Sequence, residues 1–397
     1  MKPRAVHQVS VGYDYRGAPS PRILHVAQPT DGGVRRYLVA ACADQIARGW
    51  QVVVACPEGP LAVDLDALGV PRRSWSATRS PGPSIVGETL ALSRIVDDIA
   101  PDLVHLHSSK AGLVGRLVVR RHRPTIFQPH GWSWLAATST VKRLTLRWER
   151  LASRWSTAIV CVGHDELAAG RDAGIRAPMR VVRNGVDRAR FAVAGEAAKS
   201  RARRELDIPD DAALVVCAGR VTRQKGQDVL LAAWPSVRAR CANAQLAIVG
   251  DGDMLAELRR HADSSIRFVP PTPDIARWLA AADVVTVPSR WEGLPLIALE
   301  AAAVGRGVVG TAVAGLTESV TPETGVLVAP ESPDALADAL ARRLCEPSLA
   351  AAEGRAAATL AAQFDQRHTL EELAQLALAL VGADGSMRAQ SAEEALR

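Results

Sequence analysis

From Arg22 to Val328 the chain repeats one pattern: a short apolar run, a turn, then a longer stretch with helical spacing. No other property of the sequence restricts the fold so strongly. Neighbouring parallel strands must be joined by a crossover, and helices make that connection while covering both faces of the sheet. In the first half, Ile23–Ala27, Gln51–Ala55, Leu103–Leu106, Thr125–Gln128, Ala158–Val162 and Met179–Val182 read as strands. Helical patterns cover Val34–Arg48, Ile85–Ile99 and Lys110–Arg121. After Asn184-Gly185-Val186-Asp187 the chain turns polar, helical and charge-rich through Leu206. A second alternation follows, with strands at Leu214–Ala218, Gln245–Val249, Ile266–Val269, Val284–Val287, Gly307–Gly310 and Gly325–Val328. Its helical patterns lie over Gly226–Arg240, Met254–Ala262, Asp274–Ala281, Pro295–Ala303 and Pro333–Leu344.

Two such units in succession predict an α/β protein of two Rossmann-like, doubly wound parallel-sheet domains. The expected division is a flexible N-terminal tail over 1–20, one domain over 21–190 and a second over 191–348. Helices over 349–381 are expected to pack back on the first domain, ahead of a disordered tail over 382–397. Ligands of such sheets bind outside the carboxyl ends of the strands, so the loops after the strands are where chemistry is sought.

The bulk properties exclude several classes. A length of 397 residues accommodates two domains, and 48% hydrophobic with 23% charged residues is globular rather than disordered or fibrous. The net charge of +6 comes mainly from arginine, with lysine only at 2, 110, 142, 199 and 225. No helix-turn-helix, zinc finger or aromatic-basic platform accompanies it, so nucleic acid is not an expected partner. Cys42, Cys56, Cys161, Cys217, Cys241 and Cys345 stand singly, without metal-site spacing, and read as buried reduced thiols in a cytoplasmic setting. Residues 1–20 lack the apolar centre of a secretory signal, and no uncharged apolar run has bilayer-spanning length.

The most informative local stretch is Pro288-Ser289-Arg290-Trp291-Glu292-Gly293-Leu294-Pro295-Leu296-Ile297-Ala298-Leu299-Glu300. Pro295 suits the first position of a helix, where a missing N–H costs nothing. The N–H groups of Gly293, Leu294 and Leu296 then point outward at a helix N-terminus, which favours an anion. Glu292 lies beside those donors and Glu300 more than a turn further on. Two carboxylates flanking an anion site suit a nucleotide-sugar, with hydroxyls at both ends and phosphate between. The spacing of the two glutamates alone is more often that of ordinary surface residues; the order of strand, Pro-Ser, Glu-Gly-Leu-Pro and Leu-Glu-Ala is much more specific.

Other candidates follow strand ends. Arg220 and Lys225, each beside a glycine, are placed to neutralise a diphosphate. Gly250-Asp251-Gly252-Asp253 permits close backbone approach to a ligand, with a metal-binding Asp-x-Asp as the weaker reading. Asp31-Gly32-Gly33 precedes a helix and suits an anion, but Gly-x-Gly-x-x-Gly is absent. His130-Gly131 closes the strand Thr125–Gln128, and a histidine there faces a ligand. His105 and His107 read mainly as structural. Over Val141–Trp155 a helix places Val141, Leu144, Trp148, Leu151 and Trp155 on one stripe, with Arg143, Arg147, Arg150 and Arg154 opposite. It either packs on its own domain or docks on anionic lipid, at the inner face of a membrane.

In this order the motifs resemble those of the retaining glycosyltransferases of family 4, over roughly residues 21–375. The resemblance implies the GT-B fold, with the two domains facing across a cleft. It implies transfer from a UDP- or GDP-linked sugar to a hydroxyl acceptor, in polysaccharide or glycolipid assembly, without a metal or other cofactor. The acceptor is either lipid-linked or a small metabolite. On this pattern Arg220 and Lys225 bind the donor phosphates, and Asp251 and Gly252 lie near the nucleotide. Gly32 and Gly33 lie near the diphosphate and acceptor. Glu292 and His130 bind the transferred sugar, and Glu300 binds the ribose. Asn184-Gly185-Val186-Asp187 matches a hinge motif of the family, and a turn explains it equally. The sequence departs from the pattern at Pro270-Pro271, where glycine is usual, and at Gly305-Arg306-Gly307-Val308-Val309, where Gly-x-Pro-Val-Val is common. A non-catalytic nucleotide-sugar binding protein is the alternative; a nicotinamide dehydrogenase lacks its glycine fingerprint here.

Overall fold

A computed structural model describes residues 20–78, 82–137 and 139–382. The tails expected at either end lie almost entirely outside these residues. Thirteen strands appear among them: β1 Arg22–Ala27, β2 Gln51–Cys56, β3 Arg72–Ser74, β4 Leu103–His107, β5 Thr125–Gln128, β6 Ala158–Cys161, β7 Met179–Val181, β8 Ala213–Ala218, β9 Ala244–Val249, β10 Ile266–Val269, β11 Val284–Val287, β12 Val308–Thr311 and β13 Gly325–Val328. The helices of the first half are α1 Gly32–Ala47, α2 Pro60–Ala67, α3 Ile85–Ile99, α4 Ser108–Val119, α5 Ser139–Ala152 and α6 His164–Asp172. Those that follow are α7 Glu196–Glu205, α8 Gln227–Arg240, α9 Leu255–Arg260, α10 Ile275–Ala281, α11 Leu296–Val304, α12 Leu316–Ser319, α13 Pro333–Cys345, α14 Pro347–Leu360 and α15 Gln366–Gly382.

The strands form a seven-stranded sheet in the order β3-β2-β1-β4-β5-β6-β7 and a six-stranded sheet in the order β10-β9-β8-β11-β12-β13. The described pairings are parallel, as the two alternations require. Both strand orders reverse direction once, between β1 and β4 and between β8 and β11. Those are the switch points beside which open parallel sheets bind ligands.

Burial explains why the strands were legible. All residues of β4, β5, β6, β11 and β12 are buried. Successive residues of a strand point to opposite faces. Leu214, Val216, Val285 and Val287 accordingly join one apolar cluster of the second sheet, and Val215, Cys217 and Val284 the other. Each fully buried side chain of this size contributes roughly 1.5–3 kcal/mol relative to exposure. The departure at Arg306 is accommodated locally: its guanidinium donates to the carbonyls of Ala194 and Ala280 at 3.2 and 2.7 Å.

By its contacts the chain divides into two compact units, one of residues 1–126, 155–157 and 374–397, the other of 127–154 and 158–373. In the second unit α14 packs on α11, α13 and β13. All six cysteines are free thiols, but Cys345 is exposed where a buried position was expected, because it ends α13 rather than facing a sheet. Among the described residues no helix is long and apolar enough to cross a membrane.

Candidate functional site

The loops after β8 and β11, on either side of the second switch point, are stitched together. Gly226 has a left-handed φ of +68°, and a Cβ on it would come within 1.9 Å of the Pro288 carbonyl oxygen. Only glycine allows that approach, and it sets Lys225 beside the second loop. Lys225 Nζ donates to Glu292 Oε1 at 2.6 Å. Ser289 Oγ donates to the same oxygen at 2.6 Å. The Thr311 hydroxyl, at the end of β12, donates in turn to the Ser289 carbonyl. Gln224 Nε2 donates to the Trp291 carbonyl at 3.0 Å, and the Arg290 amide donates to the Gln224 carbonyl at 2.8 Å. Arg290 binds Asp228 bidentately at 2.8 and 2.8 Å and also pairs with Glu331. Fork geometry of this kind fixes orientation as well as energy.

The structure therefore brings Arg220, Lys225, Glu292 and the start of α11 into one set of loops. Arg220 Nη2 donates to Gln224 Oε1 at 3.0 Å, beside Lys225 in sequence and on the same loop. Glu292 is buried, with 5% of its surface exposed. Pro295 is not the first helical residue as expected: its ψ of 120° is extended, and α11 begins at Leu296. The ring thus precedes the helix, and the unpaired N–H groups of the first turn fall at Leu296 and beyond. Glu300 is buried one turn along α11.

The loop after β9 has a different physical basis from that expected. A Cβ on Gly250 would meet the Gly219 carbonyl oxygen at 1.9 Å, and one on Gly252 the Val221 carbonyl oxygen at 2.1 Å. These glycines let the 250–254 loop close on the 219–221 loop, a closure locked by Val221 N–H donating to the Asp251 carbonyl at 2.8 Å. That contact alone accounts for the glycines. Asp251 is exposed, and its carboxylate accepts from the Gly252 amide at 2.7 Å.

His130 and Gly131 follow β5 and have positive φ, +53° and +102°. Burial pulls the His130 imidazole down to about 3, so it is neutral near pH 7. A Cβ on Gly293 would lie 3.1 Å from the Gly131 amide nitrogen and 3.3 Å from the His130 carbonyl carbon. The His-Gly turn and the Glu-Gly-Leu turn are thus backbone neighbours. Asn184 Nδ2 donates to the Leu294 carbonyl at 2.7 Å, which gives that motif a contact with the same turn.

Gly32 and Gly33 open α1 after β1, two residues earlier than the helix was expected, and Gly32 has φ +76°. On β1 and β4 themselves, His25, His105 and His107 are buried together. His25 Nδ1 lies 2.9 Å from His107 Nε2, and His25 Nε2 lies 2.8 Å from Gln45 Oε1. Burial lowers His25 to about 4. His107 is thus held by a hydrogen bond to His25 and His105 is stacked on His107 with ring centroids 4.1 Å apart, in keeping with a structural reading.

The α5 stripe is the converse case. Val141, Leu144 and Leu151 are 54%, 60% and 41% exposed, so packing on the chain's own core, the simpler expectation, does not describe them. Among the described residues of this helix Glu149 and Ala152 are buried, and Trp148 is half-buried. Arg290, Gln224 and Thr311 escaped the sequence reading because their partners are remote in sequence, whereas Ser289 lay three residues from its partner Glu292 inside a recognised stretch.

Comparison with known proteins agrees with this geometry. Two family descriptions match in tandem, Glycosyltransferase Family 4 over residues 31–190 and Glycosyl transferases group 1 over residues 212–346. A D-inositol 3-phosphate glycosyltransferase of Catenulispora acidiphila is 32% identical over 396 residues, covering 88% of this chain and 91% of that one. A GDP-mannose-dependent monoacylated alpha-(1-6)-phosphatidylinositol monomannoside mannosyltransferase of Corynebacterium glutamicum is 37% identical over 185 residues, covering 44% of this chain and 49% of that one. The chain thus spans about half the length of that relative and of several others it matches. The structure of Anabaena HepE in complex with UDP and glucose aligns with a TM-score of 0.77 at 22% identity, over 89% of this chain and 98% of that one, a likeness of fold. With two parallel sheets, the stitched loops at the second switch point and these matches, the chain belongs to the family 4 glycosyltransferases, the glycosyl transferases group 1, and has their GT-B fold.

Proposed function

We propose that this chain transfers a sugar from a UDP- or GDP-linked donor to a hydroxyl of a lipid-linked acceptor, with retention of configuration and without a metal. The observation that carries the reading is Lys225 held 2.6 Å from Glu292 on loops stitched across the switch point, beside the start of α11. An ammonium, a guanidinium at Arg220 and the first N–H groups of a helix are the donors a leaving diphosphate needs. They are fixed before the reaction, so they stabilise developing charge without reorganisation. Both contacts to Glu292 fall on Oε1, which leaves Oε2 for a sugar hydroxyl. Glu300 binds the ribose diol from α11. Neutral His130 serves as a hydrogen-bond partner of the sugar rather than as an acid.

Glu292 is occupied by Lys225 and Ser289 and is poorly suited to form a glycosyl-enzyme bond of the kind retaining hydrolases use. Same-face displacement fits better. The acceptor oxygen bonds to the anomeric carbon as the bond to the phosphate oxygen breaks, and the departing phosphate takes the acceptor's proton.

The exposed Val141, Leu144 and Leu151 of α5, on a helix that also carries Arg143 and Arg147, favour an acceptor at an anionic membrane surface, with docking through 141–155. The relative named above for phosphatidylinositol monomannoside supports that class. The relative named for D-inositol 3-phosphate favours a second reading, a soluble inositol phosphate. The test supplies UDP-glucose, UDP-N-acetylglucosamine and GDP-mannose to the purified chain, with inositol 3-phosphate or with vesicles containing phosphatidylinositol. Nucleoside diphosphate release and product mass are followed. Failure to bind UDP or GDP, together with no release from any donor, defeats the reading.

A further inference from the structure

The dipeptide Asp165-Glu166, in the first turn of α6, is absorbed by none of the roles above. Glu166 is buried, and its two carboxylate oxygens face different segments. Oε1 accepts from the Gly131 amide at 2.5 Å, and Oε2 accepts from the Val162 amide at 2.7 Å. Its carbonyl also accepts from Trp132 Nε1 at 2.7 Å. Asp165 works in the other direction. Its Oδ2 accepts from the Gly315 amide at 3.0 Å and from Thr317 Oγ1 at 2.5 Å, while its amide donates to Glu318 Oε1 at 2.6 Å.

Those two segments enclose one turn. A Cβ on Gly293 would lie 3.1 Å from the Gly131 nitrogen and from Val162 Cγ2. A Cβ on Gly315 would lie 1.8 Å from the Gly293 carbonyl oxygen and 2.9 Å from Leu294 Cα. The Gly293–Leu294 turn is therefore held between Gly131 on one side and Gly315 on the other, and both sides are tied to consecutive residues of α6. His130, at a left-handed φ of +53°, is the residue whose placement depends on this arrangement.

We propose that Asp165 and Glu166 are positioning residues, which clamp the His130–Gly131 turn and the 315–318 segment around the Gly293–Leu294 turn and so fix His130 relative to the sugar. This rests on the donor site proposed above. Displacement of a reacting geometry by about 1 Å is enough to lower turnover about 100-fold, whereas phosphate contacts at Lys225 are left alone.

The variants are Glu166→Gln, which keeps volume but cannot accept at both oxygens, and Asp165→Asn, which removes the charge facing Gly315. In each, kcat is expected to fall roughly 10- to 100-fold, while donor KM and the affinity for UDP or GDP stay within about twofold. Hydrogen exchange provides a readout independent of turnover. E166Q is expected to speed exchange at residues 130–132, and D165N at 293–294 and 314–318. Glu166→Asp, with charge retained, is expected to recover part of the kcat loss. Turnover within twofold of wild type in E166Q, or unchanged exchange at 130–132, overturns the proposal. Wild-type protein that releases no nucleoside diphosphate defeats the donor reading instead, and the exchange experiment still decides the clamp.

Discussion

Replacing Lys225 separates its structural work from its chemical work. The Lys225–Glu292 pair is nearly closed off from solvent, with side chains 19% and 6% exposed. Breaking such a pair from one side strands the remaining charge, a loss of about 3 kcal/mol or somewhat more for a fully buried pair. Ser289 still donates to the stranded carboxylate, so the lower figure applies to Lys225→Ala. For a folded unit of this size, 3 kcal/mol lowers the melting temperature by roughly 6–12 °C. Glu292→Gln strands the ammonium, which is more exposed, and costs less. Lys225→Met with Glu292→Met removes both charges and is expected to restore most of the stability, since an apolar pair of similar volume is often neutral or better.

Transfer behaves otherwise. Removing one preorganised donor from a developing oxyanion costs about 2.7–4 kcal/mol, a 100- to 1000-fold drop in kcat. The double methionine variant therefore regains the melting temperature of the parent and stays inactive. The assays are thermal unfolding followed by tryptophan fluorescence and nucleoside diphosphate release at saturating donor. If K225A transfers sugar at a near-normal rate, or if the double variant recovers activity with stability, Lys225 is a structural cation and the phosphate assignment is wrong.

Further expectations follow from single positions. Glu300→Ala is expected to raise donor KM by roughly 10- to 100-fold, the loss of a charge-assisted hydrogen bond, while inhibition by inorganic diphosphate stays unchanged. Equal loss of both contradicts a ribose role. Gly226→Ala forces a Cβ toward the Pro288 carbonyl at a left-handed φ, so unfolding in urea should show at least about 2 kcal/mol of lost stability, against little change for Gly195→Ala, whose Cβ meets nothing within 4 Å. Leu144→Glu should abolish sedimentation with phosphatidylglycerol vesicles without changing turnover on a soluble acceptor; unchanged sedimentation contradicts docking through α5. Burial pushes the Glu166 carboxyl up to about 7, helped by the charge of Glu318 and opposed by two amide donors. Cys161 is another titratable group beside it. Because the folded state then holds a proton that the unfolded state releases near 4.5, this group's contribution to stability falls as pH rises from 4.5 through 7, by roughly 3 kcal/mol. Turnover moves the opposite way, rising through pH 7 as the carboxylate becomes able to accept both amides. Melting profiles of wild type and E166Q between pH 5 and 8 test this, and parallel profiles refute it.

Most of the sheet structure was legible because burial on both faces leaves an uninterrupted apolar run, and twelve of the thirteen strands lie at or within a few residues of such a run. The exception is β3, Arg72-Arg73-Ser74, an edge strand whose sides face solvent and whose sequence carries no apolar signal. α2, α6 and α12 were missed as well. Each is short, and α6 is polar along most of its length, so helical spacing had little to register. In the site, residues were legible where one loop carries the whole signal, as in Glu292-Gly293-Leu294-Pro295. Arg290, Gln224 and Thr311 were not, since each acts through a partner on another loop.

The glycines show why local signals and functional assignments part company. A glycine after a parallel strand announces that something approaches the backbone, and a nucleotide is the natural suspicion. At Gly226, Gly250, Gly252 and Gly315 the approaching group is another loop's carbonyl, at Pro288, Gly219, Val221 and Gly293. Those four contacts run in a chain from the β9 loop through the β8 loop to the β11 loop and on to the segment before α12. The glycines assemble the loops, and the assembled loops place Lys225, Glu292 and the start of α11. Substituting any one of them therefore acts on the donor site through geometry rather than contact. A glycine that lined a ligand would, on replacement, weaken binding without unfolding the protein. One that joins two loops lowers stability and turnover together, and that difference tells the two kinds apart.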